Sequence, residues 1–258
     1  MSKVLLEQNG HLATITINRP DQLNCFDYDT LLQLEEQVKS IQLDREVRAV
    51  IITGAGEKAF SAGADLKERR TLGEKEVRRN VNKIRDVFAL IEELPQPTIA
   101  VVNGYALGGG FELALACDFR IAKETAKLGL PEVSMAIIPG AGGTQRLTQL
   151  IGPSKAKELI LTARRIDALE SEKIGIINQA VPQEKLMETA HELADEIMQN
   201  GPLAVIQAKH AIQQGSNVDI HTGMAIESKA YEVIIPTEDR VEALEAFREK
   251  RAPNFKGK

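Results

Sequence analysis

The sequence predicts an α/β protein in which the first two-thirds of the chain builds a parallel sheet and the last quarter is helical. Short, apolar, β-branched segments such as 48–53 and 98–102 alternate with longer segments of helical periodicity. This alternation is typical of parallel strands joined by helices. After Pro182, in contrast, every periodic segment has helical spacing. With 258 residues the chain is long enough to bury a full core.

The elements can be justified in order along the chain. Residues 4–7 and 12–17 flank Asn9-Gly10, a turn signal that predicts a β-hairpin. Leucines and Val38 recur at helical spacing from Tyr28 to about Leu43, which predicts an amphipathic helix. Further strands are predicted at 48–53, 98–102, 119–122 and near 176–181, and further helices at 74–93, 109–117, 184–200, 203–214, 220–234 and 241–250. Residues 253–258 are expected to be loose unless a ligand or partner holds them.

The composition argues against several classes of protein. A net charge of −5 predicts no broad basic face for nucleic acid or anionic lipid. No apolar run is long enough for a membrane span, and the N-terminus leads directly into a strand, so we expect no signal peptide and a cytoplasmic protein. Cys25 and Cys117 match no metal or redox spacing, and the four histidines form no ligand set, so no metal site is expected.

Three consecutive glycines, Gly108-Gly109-Gly110, stand at the predicted start of the helix at 109–117. Bare amides at a helix N-terminus are donors for an oxygen that gains negative charge, and the helix dipole acts in the same direction. The glycines could equally let the helix pack close to a strand. Residues 61–65 are also small and expose backbone N–H groups, either as a second donor to the same oxygen or as an ordinary tight loop.

Two glutamates accompany these donor segments. Glu112 belongs to the first turn of the same helix, and Glu132 follows Pro131. Either could be an ordinary acid at a helix start. Together they predict a carboxylate pair that shares one proton, and such a pair can take a proton from water and deliver one to carbon. The glycine-rich segment 138–147 lacks the ending of a phosphate-binding loop and is expected to form the pocket floor.

A third glycine motif, Gly54 to Ala59, follows a buried strand and fits the dinucleotide fingerprint G-x-G-x-x-A. That fingerprint requires a helix beginning at the glycines, whereas the residues after Ala59 are small and typical of a loop. We therefore interpret the motif as a turn. A dinucleotide-dependent oxidoreductase is the alternative.

These motifs together resemble the crotonase family, the enoyl-CoA hydratases and isomerases, over essentially the whole chain. The segments that carry the resemblance are 59–67, 106–114, 128–132, 138–147 and 246–251. The resemblance implies a crotonase-like superhelix of ββα units at 1–195, which holds the active site. It also implies a helical C-terminal region at 196–258 that forms trimers or dimers of trimers and completes the CoA site. The C-terminal half is most similar to the branch of methylglutaconyl-CoA hydratases that includes the AU-rich-RNA-binding homologue.

The resemblance also implies roles for individual residues. Backbone N–H groups of Ala64 and Gly109 would form the oxyanion hole for the thioester oxygen, and Glu112 and Glu132 would be the catalytic acids. The residues implied to bind the substrate and its CoA moiety are Gln22, Leu23, Ala62, Ala64, Asp65, Leu66, Lys67, Gly108, Gly109, Pro131, Gly140, Tyr231, Phe247 and Lys250. The acyl pocket is expected to be walled by the helix at 77–94 and by segment 133–138. CoA is part of the substrate, so no separate cofactor is implied.

The presence of both acids favours hydration of a 2-enoyl-CoA to the 3-hydroxyacyl-CoA, because family members that shift a double bond often keep only one. A methylglutaconyl-CoA hydratase and an enoyl-CoA isomerase are the alternatives, and a non-catalytic RNA-binding homologue is a further one. The predicted first helix holds Glu35, Glu36 and only Lys39. It therefore lacks the lysine-rich character of the RNA-binding homologue, and we expect no nucleic acid partner.

Overall fold

The computed structural model describes residues 2–258. The strands, in chain order, are β1 Val4–Asn9, β2 Leu12–Ile17, β3 Ala49–Gly54, β4 Ala59–Ser61, β5 Thr98–Val102, β6 Tyr105–Leu107, β7 Phe119–Lys123, β8 Lys127–Gly129, β9 Ile166–Asp167 and β10 Gln179–Val181. The helices are α1 Tyr28–Leu43, α2 Leu66–Arg69, α3 Glu74–Glu92, α4 Gly109–Ala116, α5 Gly143–Leu161, α6 Ala168–Lys173, α7 Leu186–Met198, α8 Pro202–Gly215, α9 Ile220–Ile234 and α10 Glu238–Glu249.

The strands form two sheets that the chain visits in turn. The larger sheet has the order β1-β2-β3-β5-β7-β10 and is parallel except for the β1–β2 hairpin. The smaller sheet has the order β4-β6-β8-β9, and only its β8–β9 pair is antiparallel. A strand of the large sheet, a strand of the small sheet and a helix recur as β3-β4-α3, β5-β6-α4 and β7-β8-α5. This repetition is the ββα superhelix, and the predicted fold class is confirmed.

Apolar side chains cover both faces of the large sheet. On one face Val50 and Ile52 of β3 belong to the main core with residues of α1 and α3. On the other face Ile51 of β3 packs in a second cluster with Leu186 and Ala190 of α7. Burial on both faces explains why these strands are continuously apolar rather than alternating.

The three short strands β4, β6 and β8 were not predicted. Each has three residues, which is too short for a periodicity to be visible, and residues 59–65 were expected to be a loop. Neighbouring units of the superhelix provide their hydrogen-bonding partners. The small sheet therefore depends on tertiary structure rather than on a local pattern.

Helix α8 is joined to the core by polar contacts of Lys209. Lys209 of α8 donates to Asp118 Oδ2 at 2.6 Å and to the Gln96 carbonyl at 3.0 Å.

The expectation that residues 253–258 are loose was wrong. Asp239 of α10 accepts hydrogen bonds from the N–H groups of Lys256 and Gly257, because its carboxylate lies against the returning chain.

The division at residue 195 stays a prediction, and the structure continues α7 to Met198. None of the helices within residues 2–258 combines the length and the apolar composition that a membrane crossing requires.

Candidate active site

The N–H group of Ala64 is directed by the peptides on either side of it. Phe26 N–H donates to the Gly63 carbonyl at 2.8 Å, and Asp65 N–H donates to the Phe26 carbonyl at 2.9 Å. Phe26 and Ala64 form a parallel β-bridge, and in such a bridge the N–H and carbonyl groups of Ala64 itself point away from Phe26. Its N–H has no acceptor within residues 2–258, so it can donate to a ligand.

Gly109 supplies a second free donor beside Ala64. It is the first residue of α4, where backbone N–H groups lack intrahelical acceptors. A β-carbon on Gly109 would lie 3.7 Å from the Ala64 nitrogen, so the two peptides are neighbours. Gly110 allows α4 to come this close to β4, because a β-carbon there would overlap the carbonyl oxygen of Ser61. The two donors therefore meet next to the positive end of a helix dipole.

Glu112 lies in the first turn of α4 and is 3% exposed. The N–H groups of Ala141 and Gly143, at the start of α5, each donate to its Oε1 at 2.8 Å. Burial raises the pKa of Glu112, while these N–H groups and the charge of Arg146 oppose the rise. Segment 138–147 therefore does more than form a floor, because its backbone fixes one oxygen of this carboxylate.

Glu132 begins a single 3-10 turn, Glu132–Met135, just after β8. Its Oε2 is buried without a hydrogen-bond donor among residues 2–258. Burial, aided by the charge of Glu112 and opposed by that of Arg69, raises the pKa of Glu132 to about 7. A carboxyl with this pKa exchanges a proton readily near neutral pH.

Both glutamates lie beside the two backbone donors. A β-carbon on Gly108 would be 3.1 Å from Glu132 Oε1, and Gly108 directly precedes the donor residue Gly109. Glu112 follows three residues later on the same helix. Since each carboxylate disfavours ionisation of the other, the pair can hold one proton between them next to a site for a developing oxyanion.

Apolar side chains of α3 border the same space. A β-carbon on Gly109 would be 3.0 Å from Ile84 Cδ1, and one on Gly140 would be 3.2 Å from Val81 Cγ1. After Pro131 and Glu132, the chain carries exposed Met135 and Ile138. The structure thus places α3 next to Gly109 and Gly140, and the role of these residues in the acyl pocket stays a prediction.

The two segments expected to hold CoA lie side by side. Ala62 N–H donates to the Leu23 carbonyl at 3.0 Å, and Gln22 precedes Leu23 at the end of a 3-10 turn. Leu66 and Lys67 are exposed on α2, available to a ligand.

Asp65 is different from its neighbours because the protein itself uses its carboxylate. Oδ1 accepts from the N–H groups of Lys67 and Glu68 and so caps α2, while Oδ2 pairs with Arg19 at 2.9 Å. The side chain of Asp65 therefore holds the loop after Ala64 in place.

Three predicted CoA-site residues are not brought to this site within the chain. Tyr231 is exposed and lines a groove formed by α8 and α9 alone. Phe247, which is 86% exposed, and Lys250 lie at the end of α10. Their role in the site stays a prediction that requires a second subunit.

Sequence reasoning missed Asn24 as a positioning residue. It is fully buried at φ 55°, and its side chain donates to the carbonyls of Ala55 and Ala59 and accepts from the N–H of Arg19. Asparagine tolerates this left-handed conformation better than most residues, which is the one signal that the sequence offered. The segment Gly54 to Ala59 that Asn24 fastens is a turn leading into β4, so the interpretation of this motif as a turn is confirmed.

Known proteins share the sequence and the fold of this chain. A family model described as enoyl-CoA hydratase/isomerase matches residues 7–258. A short-chain-enoyl-CoA hydratase of Clostridium acetobutylicum is 47% identical over 251 residues, covering 97% of this chain and 96% of that protein. The mitochondrial methylglutaconyl-CoA hydratase of Homo sapiens is 46% identical over 257 residues, covering 98% and 76%. The crystal structure of an enoyl-CoA hydratase from Bacillus anthracis matches with a TM-score of 0.98 at 51% identity and covers 100% of both chains.

Proposed function

The chain belongs to the enoyl-CoA hydratase/isomerase family, and on that premise we propose that it hydrates a 2-enoyl-CoA thioester to the 3-hydroxyacyl-CoA. The observation that carries the proposal is the presence of a buried acid, Glu112, and a half-buried acid, Glu132, beside the N–H groups of Ala64 and Gly109. A double-bond shift needs one group that moves a proton from carbon to carbon. Addition of water needs a base for the water and an acid for the carbon, and Glu112 and Glu132 can supply both.

The oxyanion hole lowers the barrier to hydration by stabilising the negative charge that develops on the thioester oxygen. With the thioester oxygen between the Ala64 and Gly109 N–H groups, the negative charge that develops as water attacks C3 is met by donors already in place. Removal of one such donor typically costs about 10²- to 10³-fold in rate. The apolar side chains Val81 and Ile84 limit the water around the acyl group and so strengthen these hydrogen bonds.

The two acids then divide the proton transfers. Glu112, oriented by two backbone N–H groups, takes a proton from water as the oxygen bonds to C3. Glu132, whose pKa is about 7, is the principal acid/base and delivers its proton to C2 as the C2–C3 π bond is lost. One proton then passes from Glu112 back to Glu132, which restores the starting state.

We propose that the functional form is a homo-oligomer, a trimer or a dimer of trimers, that binds its acyl-CoA without a separate cofactor. Exposed apolar side chains on α8, α9 and α10 support this, among them Ile212, Met224 and Phe247. A surface that faces only solvent does not normally carry so many exposed apolar side chains. Cytoplasmic location and the absence of a nucleic acid partner also belong to the proposal. Glu35 of α1 is paired with Lys39 and Lys83, so α1 offers little free positive charge.

The deciding experiment follows the loss of enoyl-thioester absorbance with crotonyl-CoA beside 3-methylglutaconyl-CoA. Rapid loss with formation of the 3-hydroxyacyl product supports a hydratase, and the preferred substrate identifies the branch. Binding of CoA esters without any loss would overturn hydration and favour isomerisation.

A further inference from the structure

An ion pair lies directly behind the loop that holds Glu112. Arg146 of α5 donates from Nε to Glu92 Oε1 at 2.9 Å and from Nη2 to Glu92 Oε2 at 2.6 Å. Its remaining nitrogen, Nη1, donates to the Ala141 carbonyl at 2.7 Å. The Arg146 side chain is only 13% exposed. All three nitrogens are engaged, so the plane of the guanidinium is fixed by a two-point contact that lysine could not make.

The peptide that Arg146 holds belongs to the segment that holds the acid. Ala141 accepts from Arg146 through its carbonyl and donates through its N–H to Glu112 Oε1. Gly143, two residues later, donates to the same oxygen. A continuous series of hydrogen bonds therefore runs from Glu92 through Arg146 and Ala141 to the Glu112 carboxylate.

At its other end, this series of hydrogen bonds begins on α3, the helix expected to form a wall of the acyl pocket. Glu92 is the last residue of α3, and Val81 and Ile84 lie on the same helix. The ion pair thus also fixes the distance between α3 and the loop at 140–143.

We propose that Arg146 is a positioning residue for the hydration, and that it orients the Glu112 carboxylate through the Ala141 peptide while Glu92 fixes its guanidinium. This inference rests on the proposed function, because it assigns Glu112 the water proton. This role requires no contact between either residue and the substrate. Their effect is on where the carboxylate points and on the charge behind it.

Charged groups on the elements around α4 set the direction of the expected pH effects. Glu132 faces Glu112 from the turn after β8, Arg146 lies behind it on α5, and Glu92 lies beyond Arg146 on α3. The neighbouring strands β4 and β6 carry no charged side chain. Loss of the Arg146 charge therefore raises the pKa of Glu112, and loss of the Glu92 charge lowers it.

The test compares Arg146→Met, Arg146→Lys and Glu92→Gln in hydration of crotonyl-CoA across pH. Arg146→Met is expected to lower kcat about 10- to 100-fold with little change in KM, since a misplaced catalytic group affects the chemical step and the CoA segments are untouched. The acid limb of kcat/KM moves to higher pH in Arg146→Met and to lower pH in Glu92→Gln. Arg146→Lys keeps the acid limb near its wild-type pH but recovers only part of kcat. Lys155→Met, which breaks an exposed pair with Glu158 in the part of α5 beyond the kink at Gly152, is the matched control and leaves kcat and the acid limb unchanged.

A merely structural ion pair gives a different result. It would lower the melting temperature of Arg146→Met and of Glu92→Gln without opposite shifts of the acid limb of kcat/KM. The proposal is overturned if the acid limb stays at its wild-type pH in both variants, or if it moves in the same direction in both.

A second measurement needs no activity. In thermal unfolding at pH 8, Glu112→Gln is expected to raise the melting temperature more in the Arg146→Met protein than in the wild type, because the buried charge is then uncompensated. Equal shifts would overturn the coupling. A wild type that hydrates no enoyl thioester would defeat the proposed function and leave this thermal comparison intact.

Discussion

Two elements on either side of the candidate site each carry a glutamate: helix α4 carries Glu112, and the turn after β8 carries Glu132. We call them the α4 wall and the β8 wall, and the two glutamates have opposite surroundings. On the α4 wall, Glu112 is almost completely buried, and two N–H groups and a nearby guanidinium favour its charged form. On the β8 wall, Glu132 is less buried, yet one of its oxygens has no donor among residues 2–258 and its pKa is raised to about 7.

Burial alone therefore does not decide which acid holds the proton. Two backbone N–H groups partly offset desolvation at Glu112, whereas at Glu132 the one backbone N–H that opposes desolvation is its own, and desolvation therefore dominates. Two carboxyls gain separate roles when their environments move their pKa values apart. Substitution of either acid and a change of pH remove or enlarge that difference.

The largest expected effect is the loss of either acid. Glu132→Gln and Glu112→Gln should each lower kcat by about 10²- to 10⁴-fold, because an amide neither donates an acidic proton nor accepts one. Binding of CoA esters should be retained, as measured by calorimetry. Glu93→Gln changes an exposed glutamate nearby and serves as control. If both site variants keep near wild-type turnover, the two walls do not perform the proton transfers.

The next effect tests the backbone donors that lie beside both acids. Gly109→Pro removes one N–H at the first helical position, where proline is tolerated, and should cost about 10²- to 10³-fold in kcat. Gly109→Ala keeps the N–H and adds a methyl group against the flexible end of Ile84, so it should cost far less. Comparable losses in the two variants would mean that space rather than the donor matters.

The pH dependence of the rate should reveal the proton on the β8 wall. Because Glu132 must start protonated and its pKa is about 7, kcat/KM should fall about tenfold for each pH unit above that value. At low pH the rate should also fall, as Glu112 becomes protonated. Stopped-flow hydration of crotonyl-CoA from pH 5 to 9 measures both limbs. An alkaline limb that persists in Glu132→Gln would belong to another group.

The smallest effect is on stability. The pKa of Glu132 is raised from 4.5 when unfolded to about 7 when folded, so between these values the folded state binds a proton that the unfolded state has lost. Stability from this group is therefore present below pH 4.5 and is lost as pH rises through 7. Glu132→Gln should raise the melting temperature by about 2–4 °C at pH 8 and leave it nearly unchanged at pH 4.5. An equal change at both pH values would contradict the raised pKa.

Much of this site could be predicted from sequence because its parts are local. Gly108 to Gly110 and Glu112 fall within one helical turn, and Pro131 marks the start of the turn at Glu132. Seven helices, α1, α3, α4, α7, α8, α9 and α10, were predicted within a few residues, and α1 and α9 with the observed boundaries. No bounds were predicted for α2, α5 or α6.

The parts that could not be predicted depend on distant residues. The Arg146–Glu92 pair joins side chains 54 residues apart, and nothing in either segment specifies the other. Asp239 likewise anchors the end of the chain through peptides 17 and 18 residues away, which is why residues 253–258 were wrongly expected to be loose. The α/β class, in contrast, followed from the alternation of strands and helices over the first two-thirds of the chain, and the ββα superhelix followed from the family resemblance.

The bridge between Phe26 and Ala64 has a consequence for amide hydrogen exchange. The N–H groups of Phe26 and Asp65 are hydrogen-bonded to each other's segment, so their protons should exchange slowly with solvent deuterium. The Ala64 N–H, next to Asp65 in the chain, has no acceptor among residues 2–258 and should exchange quickly while the pocket is free. When a thioester oxygen accepts from Ala64, that proton becomes protected as well, so one backbone amide reports directly on occupancy of the oxyanion hole.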